Sequence, residues 1–247
     1  MSAKLVLFDI DGTLLLTAGA GRRAITTVLA EHVAGVTEPA AAPDLHACFA
    51  AVRFDGKTDP QIVGELLAAA GEPAPHDAGR VRSLCERYVR LLEHELRHPE
   101  ARTTVMPGVP ALLDALEREP GVVLGLLTGN LLEGAGLKLR AAGLDPARFA
   151  IGAYGSDAAH RPELPPIAAR RAAERFGARF GGRAPDGHAV VIIGDTPADV
   201  TCGRSIGARA IAVATGAYSM EDLAAAGPHA VFADLSDTAA VLAAILG

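Results

Sequence analysis

Asp9 and Asp11 stand two residues apart in Asp9-Ile10-Asp11-Gly12-Thr13, directly after the apolar run Leu5-Val6-Leu7-Phe8. In extended backbone, residues two apart project to the same side, so both carboxylates can face one substrate with separate jobs. Gly12 permits a sharp backbone turn, and Thr13 adds a hydroxyl and a backbone donor for an anion. The apolar run reads as a buried strand, and open parallel sheets bind ligands beyond the carboxyl ends of their strands.

Three more groups of polar residues follow apolar runs in the same way. Thr128-Gly129-Asn130 comes after the strand-like residues 122–127. It places a hydroxyl, a permissive glycine and an amide at a helix start, a combination suited to phosphate. Gly194-Asp195-Thr196-Pro197-Ala198-Asp199 follows residues 189–193. Its carboxylates, four apart, can both look back over the sheet edge, and acidic oxygens are what Mg2+ takes, together with waters and substrate phosphate. Asp195 brought near Asp9 is repulsive without a cation, so the clustering favours a metal. Arg161 precedes Pro162 and a helix from residue 164. It is the candidate cation that offsets these acids and holds an anionic group. Lys138, in the helix after Thr128-Gly129-Asn130, is the alternative, or else an exposed lysine in a surface ion pair.

The elements that must position these residues follow from periodicity. Ile25, Val28, Leu29 and Val33 keep a helical spacing, residues 36–43 read as an Ala- and Pro-rich loop, and Thr58-Asp59-Pro60 opens a second helix. Val81, Leu84, Cys85, Tyr88, Leu91 and Leu92 predict a third over residues 78–96. Residues 15–102 are therefore expected to form an all-helical insert. From Pro107 onward helices alternate with strands, expected at 122–127, 149–153, 189–193, 210–214 and 231–232, and Ser219-Met220-Glu221-Asp222 resembles a capping box. Such alternation implies an α/β, doubly wound parallel sheet. The expected core is residues 1–14 with 103–247.

With 247 residues, half of them hydrophobic, the chain can bury a substantial core, which argues against disorder. Its formal charge of −6 argues against a nucleic-acid partner, because phosphate backbones need a basic face. Cys48, Cys85 and Cys202 are scattered and odd in number, suggesting neither a disulfide framework nor a zinc site. Lacking an 18-residue apolar run and a basic leader pattern, the sequence reads as cytoplasmic, without a membrane partner. Its oligomeric state is left open.

The ordered set Asp9-x-Asp11-Gly12-Thr13, Thr128-Gly129-Asn130, Arg161 and Gly194-Asp195-x-x-x-Asp199 resembles the four motifs of the haloacid dehalogenase superfamily of phosphohydrolases. Within it, the nearest subgroup is the phosphoglycolate phosphatase-like proteins. The resemblance implies a Rossmann-like core with an inserted helical C1 cap, acting on a small-molecule phosphate ester. It also implies that Asp9 is the nucleophile forming an aspartyl-phosphate, and that Asp11 protonates the leaving alkoxide and later activates water. Mg2+ would lie between the Asp9 carboxylate, the Asp11 backbone carbonyl and Asp195, with Asp199 a ligand or a partner of one. Gly12, Thr13, Thr128, Gly129, Asn130 and Arg161 would bind the phosphoryl group.

Relatives commonly carry Lys where this chain has Arg161, and Arg binds bidentately but cannot be neutralised. The dehalogenase branch lacks an acid at the position of Asp11, so its presence favours a phosphatase. A phosphomutase of the β-phosphoglucomutase type shares all four motifs. A phospho-accepting regulatory module uses a strand-end Asp but explains neither Asp11 nor the insert. Arg22, Arg23, Lys57 and Asp59 of the insert are candidates to touch the leaving group. Lys57, in the loop Phe54-Asp55-Gly56-Lys57-Thr58, is the favoured one, because a loop lysine can reach inward.

Overall fold

The computed structural model describes residues 3–36, 44–98 and 101–247. Six parallel strands form one sheet in the order β5-β4-β1-β6-β7-β8, namely Ile151–Tyr154, Val122–Thr128, Lys4–Phe8, Val190–Gly194, Arg209–Val213 and Ala230–Phe232. Apolar side chains project from both faces, as a parallel sheet covered on each side requires. Val6, Phe8, Leu124, Leu126, Val191 and Ile193 meet α5 (Val109–Glu117), α6 (Leu132–Ala141) and α10 (Thr238–Leu246) in one cluster. The intervening Leu5, Leu7, Val123, Leu127, Val190 and Ile192 meet α7 (Leu164–Phe176) in another. This two-sided core is the doubly wound arrangement read from the sequence. β1 sits between β4 and β6, so its C-terminal end opens where the chain's course reverses, the usual place for a ligand.

Between β1 and β4 the chain makes a long excursion through α1 (Ala20–Val36), α2 (Leu45–Ala50), α3 (Asp59–Ala69) and α4 (Ala78–Arg97). These helices share their own apolar cluster, including Ile25, Leu29, Leu66, Leu84 and Tyr88, and it is joined from the sheet side by Leu131. Thr58 caps α3 by accepting from Gln61 N, with Pro60 in the first turn, as its sequence predicts. Ser219 and Asp222 complete the capping box of α9 (Met220–Ala225).

Two features differ from the sequence reading. Leu15 and Leu16 are not helical: they form β2 (Leu15–Leu16), antiparallel to β3 (Thr104–Val105), in a ribbon where the excursion leaves and returns. Two-residue strands are too short to show a period, which is why the insert reads as wholly helical. α2 lies between the expected loop and the helix opened by Thr58, in residues to which the sequence assigns no element; most of that loop, residues 37–43, lies outside the described residues. Strand boundaries otherwise shift by one or two residues.

Candidate active site

β1 delivers Asp9 to the sheet edge, where its backbone N–H still donates to Ile193 O at 2.9 Å and so holds the turn against β6. Gly12 then adopts φ 85°. A β-carbon there would stand 2.3 Å from Asp195 Oδ2, so the turn can approach the neighbouring strand end only with glycine. Thr13 Oγ1 donates to Asp195 Oδ1 at 2.9 Å. Thr215 Oγ1 donates to Gly12 O, and Gly216 leaves room for the Asp195 carboxylate. Thr215 and Gly216 were missed in the sequence, although a Thr-Gly pair after a strand repeats the pattern of Thr128-Gly129.

One oxygen from each of Asp9, Asp195 and Asp199 lies within 4.8 Å of the others, and all three residues are buried. Arg161, buried in a short turn before α7, stands against this cluster. Its Nη2 is 3.1 Å from Asp9 Oδ1, donates to Leu127 O at 3.2 Å and donates to Asp199 Oδ1. The other Asp199 oxygen accepts from Thr196 N and Thr196 Oγ1, completing a capping box at α8 (Pro197–Cys202). Asp199 thus serves both the helix start and the arginine.

Burial pushes the Asp9 carboxyl up to about 6; Arg161 opposes the shift, while Asp199 and Asp11 add to it. Asp195 is raised well above the usual carboxylate range by burial and then by Asp199 and Asp9. Burial alone would lower Arg161, but Asp199 and Asp9 outweigh it and hold the guanidinium charged. Three acids against one cation leave an excess of negative charge in this corner.

Asp11 lies on the other side of Asp9's cavity with a separate set of partners. Lys138 Nζ donates to both its oxygens, at 2.8 and 2.6 Å, and Asn130 Nδ2 donates to Oδ2 at 2.7 Å. Asn130 Nδ2 also reaches Thr128 Oγ1 at 2.8 Å, tying the end of β4 to the first motif. The structure therefore separates the two candidate cations: Arg161 meets Asp9, and Lys138 meets Asp11. Lys138 is not an exposed surface lysine, since it is 4% accessible.

The insert closes over these groups through the loop that carries Lys57. A β-carbon on Gly129 would lie 2.0 Å from Lys57 O, so glycine is what lets that loop sit on the end of β4. Asp59 N donates to Gly129 O at 2.8 Å, and the Asp59 carboxylate accepts from Leu131 N at 2.9 Å. Burial pushes the Asp59 carboxyl up to about 6, against the pull of Lys138. A cavity of about 280 Å³ remains, lined by Asp9, Asp11, Arg22, Phe54, Tyr88 and Lys138 among others. Lys57 borders it, but its ammonium pairs with Glu65, which also accepts from Gln61 Nε2 at 3.0 Å. Arg22 stacks on the Phe54 ring at 3.7 Å, while Arg23 turns away to Glu95.

A family profile described as haloacid dehalogenase-like hydrolase matches residues 3–207, spanning every residue of the acidic cluster and its cations. The chain belongs to this family. A phosphoglycolate phosphatase from Rhodospirillum rubrum is 30% identical over 241 residues, covering 94% of this chain and 88% of the relative. CbbY from Rhodobacter sphaeroides, solved in complex with phosphate, matches with a TM-score of 0.66 at 22% identity over 95% of this chain and 96% of that one. A hydrolase from Pseudomonas syringae gives 0.65 at 21% identity over 97% of each chain. At these identities the solved structures speak to the fold.

This haloacid dehalogenase-like hydrolase is a phosphatase, a phosphoric monoester hydrolase. Tyr88 of its cavity wall reads in the sequence only as part of a helical apolar stripe, because a buried aromatic on an amphipathic helix has the same signature whether it faces a core or a ligand, while Phe54 stands on the loop of Lys57, where no periodicity marks it. No helix among the described residues is long and apolar enough to cross a membrane.

Proposed function

We propose that this phosphatase hydrolyses a small organic monoester, of the phosphoglycolate or sugar-phosphate type, through an aspartyl-phosphate on Asp9 and with Mg2+. The observation that carries the reading is the division of partners around one cavity: Asp9 is buried against Arg161, and Asp11 is half-open and held by Lys138 and Asn130. Asp9 attacks phosphorus as the ester oxygen departs, and Asp11 delivers a proton to that oxygen. Asp11 then takes a proton from the water that releases phosphate. A carboxylate nucleophile divides the transfer into two easier steps. Arg161 and Thr128 offset and hold the phosphoryl oxygens, Gly12 and Thr13 shape the turn beneath them, and Gly129 lets the loop of Lys57 close above.

The donor set suits a hard divalent cation. Asp9, Asp195 and Asp199 present buried oxygens within 4.8 Å of each other, and one guanidinium does not balance them. Asp9 and Asp195 would hold Mg2+, with the Asp11 carbonyl, while Asp199 adds charge from behind Arg161 and Thr196. When bound, the ion supplies neutralisation of phosphoryl charge.

Residues 15–102 act in this reading as a cap over a core of residues 1–14 and 103–247, excluding water from the cavity. A volume of about 280 Å³ supports a small substrate, being about nine waters' worth. A phosphate-release panel of 2-phosphoglycolate, glycerol 3-phosphate, glucose 6-phosphate and graded aryl phosphates tests the proposal. Turnover of at least one alkyl ester that excess chelator abolishes and Mg2+ restores is expected. Turnover indifferent to chelator would overturn the metal assignment, and no turnover on any ester would overturn the substrate class.

A further inference from the structure

Lys138 belongs to α6 and its side chain is 6% accessible, whereas that of its partner Asp11 is 42% accessible. Placing a buried ammonium against a half-open carboxylate is a poor way to gain stability, because the lysine loses its hydration while solvent weakens the pair. Orientation is the better account. The ammonium reaches both Asp11 oxygens, and Asn130 holds one of them from a second direction. Turning the carboxylate would break at least one of these bonds. None of the Arg161 hydrogen bonds or ion pairs goes to Asp11, so Lys138 does not duplicate the phosphoryl cation.

Around the lysine, the insert and the core converge. A β-carbon on Gly21 at the start of α1 would lie 3.4 Å from Lys138 Nζ and 3.5 Å from the Tyr88 hydroxyl, so both groups crowd one point of the cavity wall. Asp59, fixed to Leu131 N at the cap of α6 about two turns before Lys138, brings a second carboxylate into the ammonium's field.

We propose that Lys138 is a positioning residue for Asp11, aiming one carboxyl oxygen at the ester oxygen of the leaving group. The proposal rests on the two-step reading above. In the first step the P–O ester bond breaks, its electron pair stays on the leaving oxygen, and the Asp11 proton goes to that oxygen. In the second, water oxygen bonds to phosphorus, the bond between phosphorus and Asp9 breaks, and the water proton returns to Asp11. Both transfers demand the same alignment, and misaligned proton transfer is slow.

The test is the dependence of kcat/KM on leaving-group acidity, measured with the aryl phosphates of the panel and its fastest alkyl ester. An acidic phenol departs without help, so loss of a well-aimed proton donor should be felt least there. Lys138→Met should therefore lose roughly 10- to 100-fold on the alkyl ester and little on the most acidic aryl phosphate. The slope of rate against phenol acidity should steepen toward that of Asp11→Asn, and Lys138→Arg should restore part of the loss. If Lys138→Met does not fold, Lys138→Gln carries the same comparison. A uniform loss on every ester, with the slope unchanged, would make Lys138 structural and overturn the proposal, as would wild-type rates throughout. Either result leaves the two-step reading standing, whereas a wild type inert on all esters removes both.

Discussion

The two walls of the cavity are built differently. On the sheet side, Asp9, Asp195 and Arg161, with Asp199 behind them, are each buried, and every one is held by a strand end, a helix start or another charged group. On the helical side, Arg22 is exposed and stacked on Phe54, and Lys57 is neutralised by Glu65 on its own surface. Rigid, multiply bonded charges suit chemistry that must be the same for every substrate; side chains on a loop and a helix face suit discrimination, since they can change partner at small cost. Asp59 and Gly129 join the walls, one by hydrogen bonds and the other by the space it leaves.

The sharpest way to break this contrast is at Asp9. Asp9→Asn should abolish detectable turnover and phosphoryl trapping, because it removes the nucleophile itself. A labelled phosphoryl group recovered on another residue would sink the assignment. Next, Arg161→Ala should cost about 10²- to 10³-fold in kcat, as expected for one preorganised donor. If Arg161→Ala stays near wild type while removing Lys138 abolishes activity on all esters, the roles of the two cations are exchanged.

The junction should show itself in stability. Asp59 has a folded pKa of about 6, above its ordinary 3.8, so the folded protein prefers it protonated. Its stabilising contribution is full below about pH 4 and is lost as pH rises through about 6. Asp59→Asn, which keeps an acceptor for Leu131 N, should stabilise the metal-free protein at pH 7 by up to roughly 3 kcal/mol and change it little at pH 4. Urea titrations at the two pH values measure this, and an equal effect at both would refute it. The smallest effect is expected at Lys57. Because Glu65 already answers its charge, Lys57→Ala should lower kcat/KM for the best alkyl ester by under about tenfold and leave aryl phosphates unchanged. Equal losses on both would assign Lys57 to the loop's structure.

Much of this site could be read before any fold was known. Asp9, Asp11, Thr128, Asn130, Asp195 and Asp199 each stand just after an apolar run, and a parallel sheet necessarily collects such residues at one edge. The helices of the insert were likewise legible wherever an apolar stripe ran for several turns, as in α4. Periodicity carries that information locally, within a dozen residues. The ribbon of Leu15–Leu16 with Thr104–Val105 was not legible, since two residues have no period.

Partnership was decided by tertiary structure alone. Sequence placed two cations near the site without saying which acid each would meet; the approach of α6 to β1 gave Lys138 to Asp11, 127 positions away, and the turn before α7 gave Arg161 to Asp9 and Asp199. The same holds for Lys57, whose loop pointed to the cavity while its charge went to Glu65 on α3. Residue type sets what a side chain can do, and local pattern sets the element that carries it. Which oxygen a long cation finds depends on how segments distant in the chain come together, and on which charges burial leaves without water.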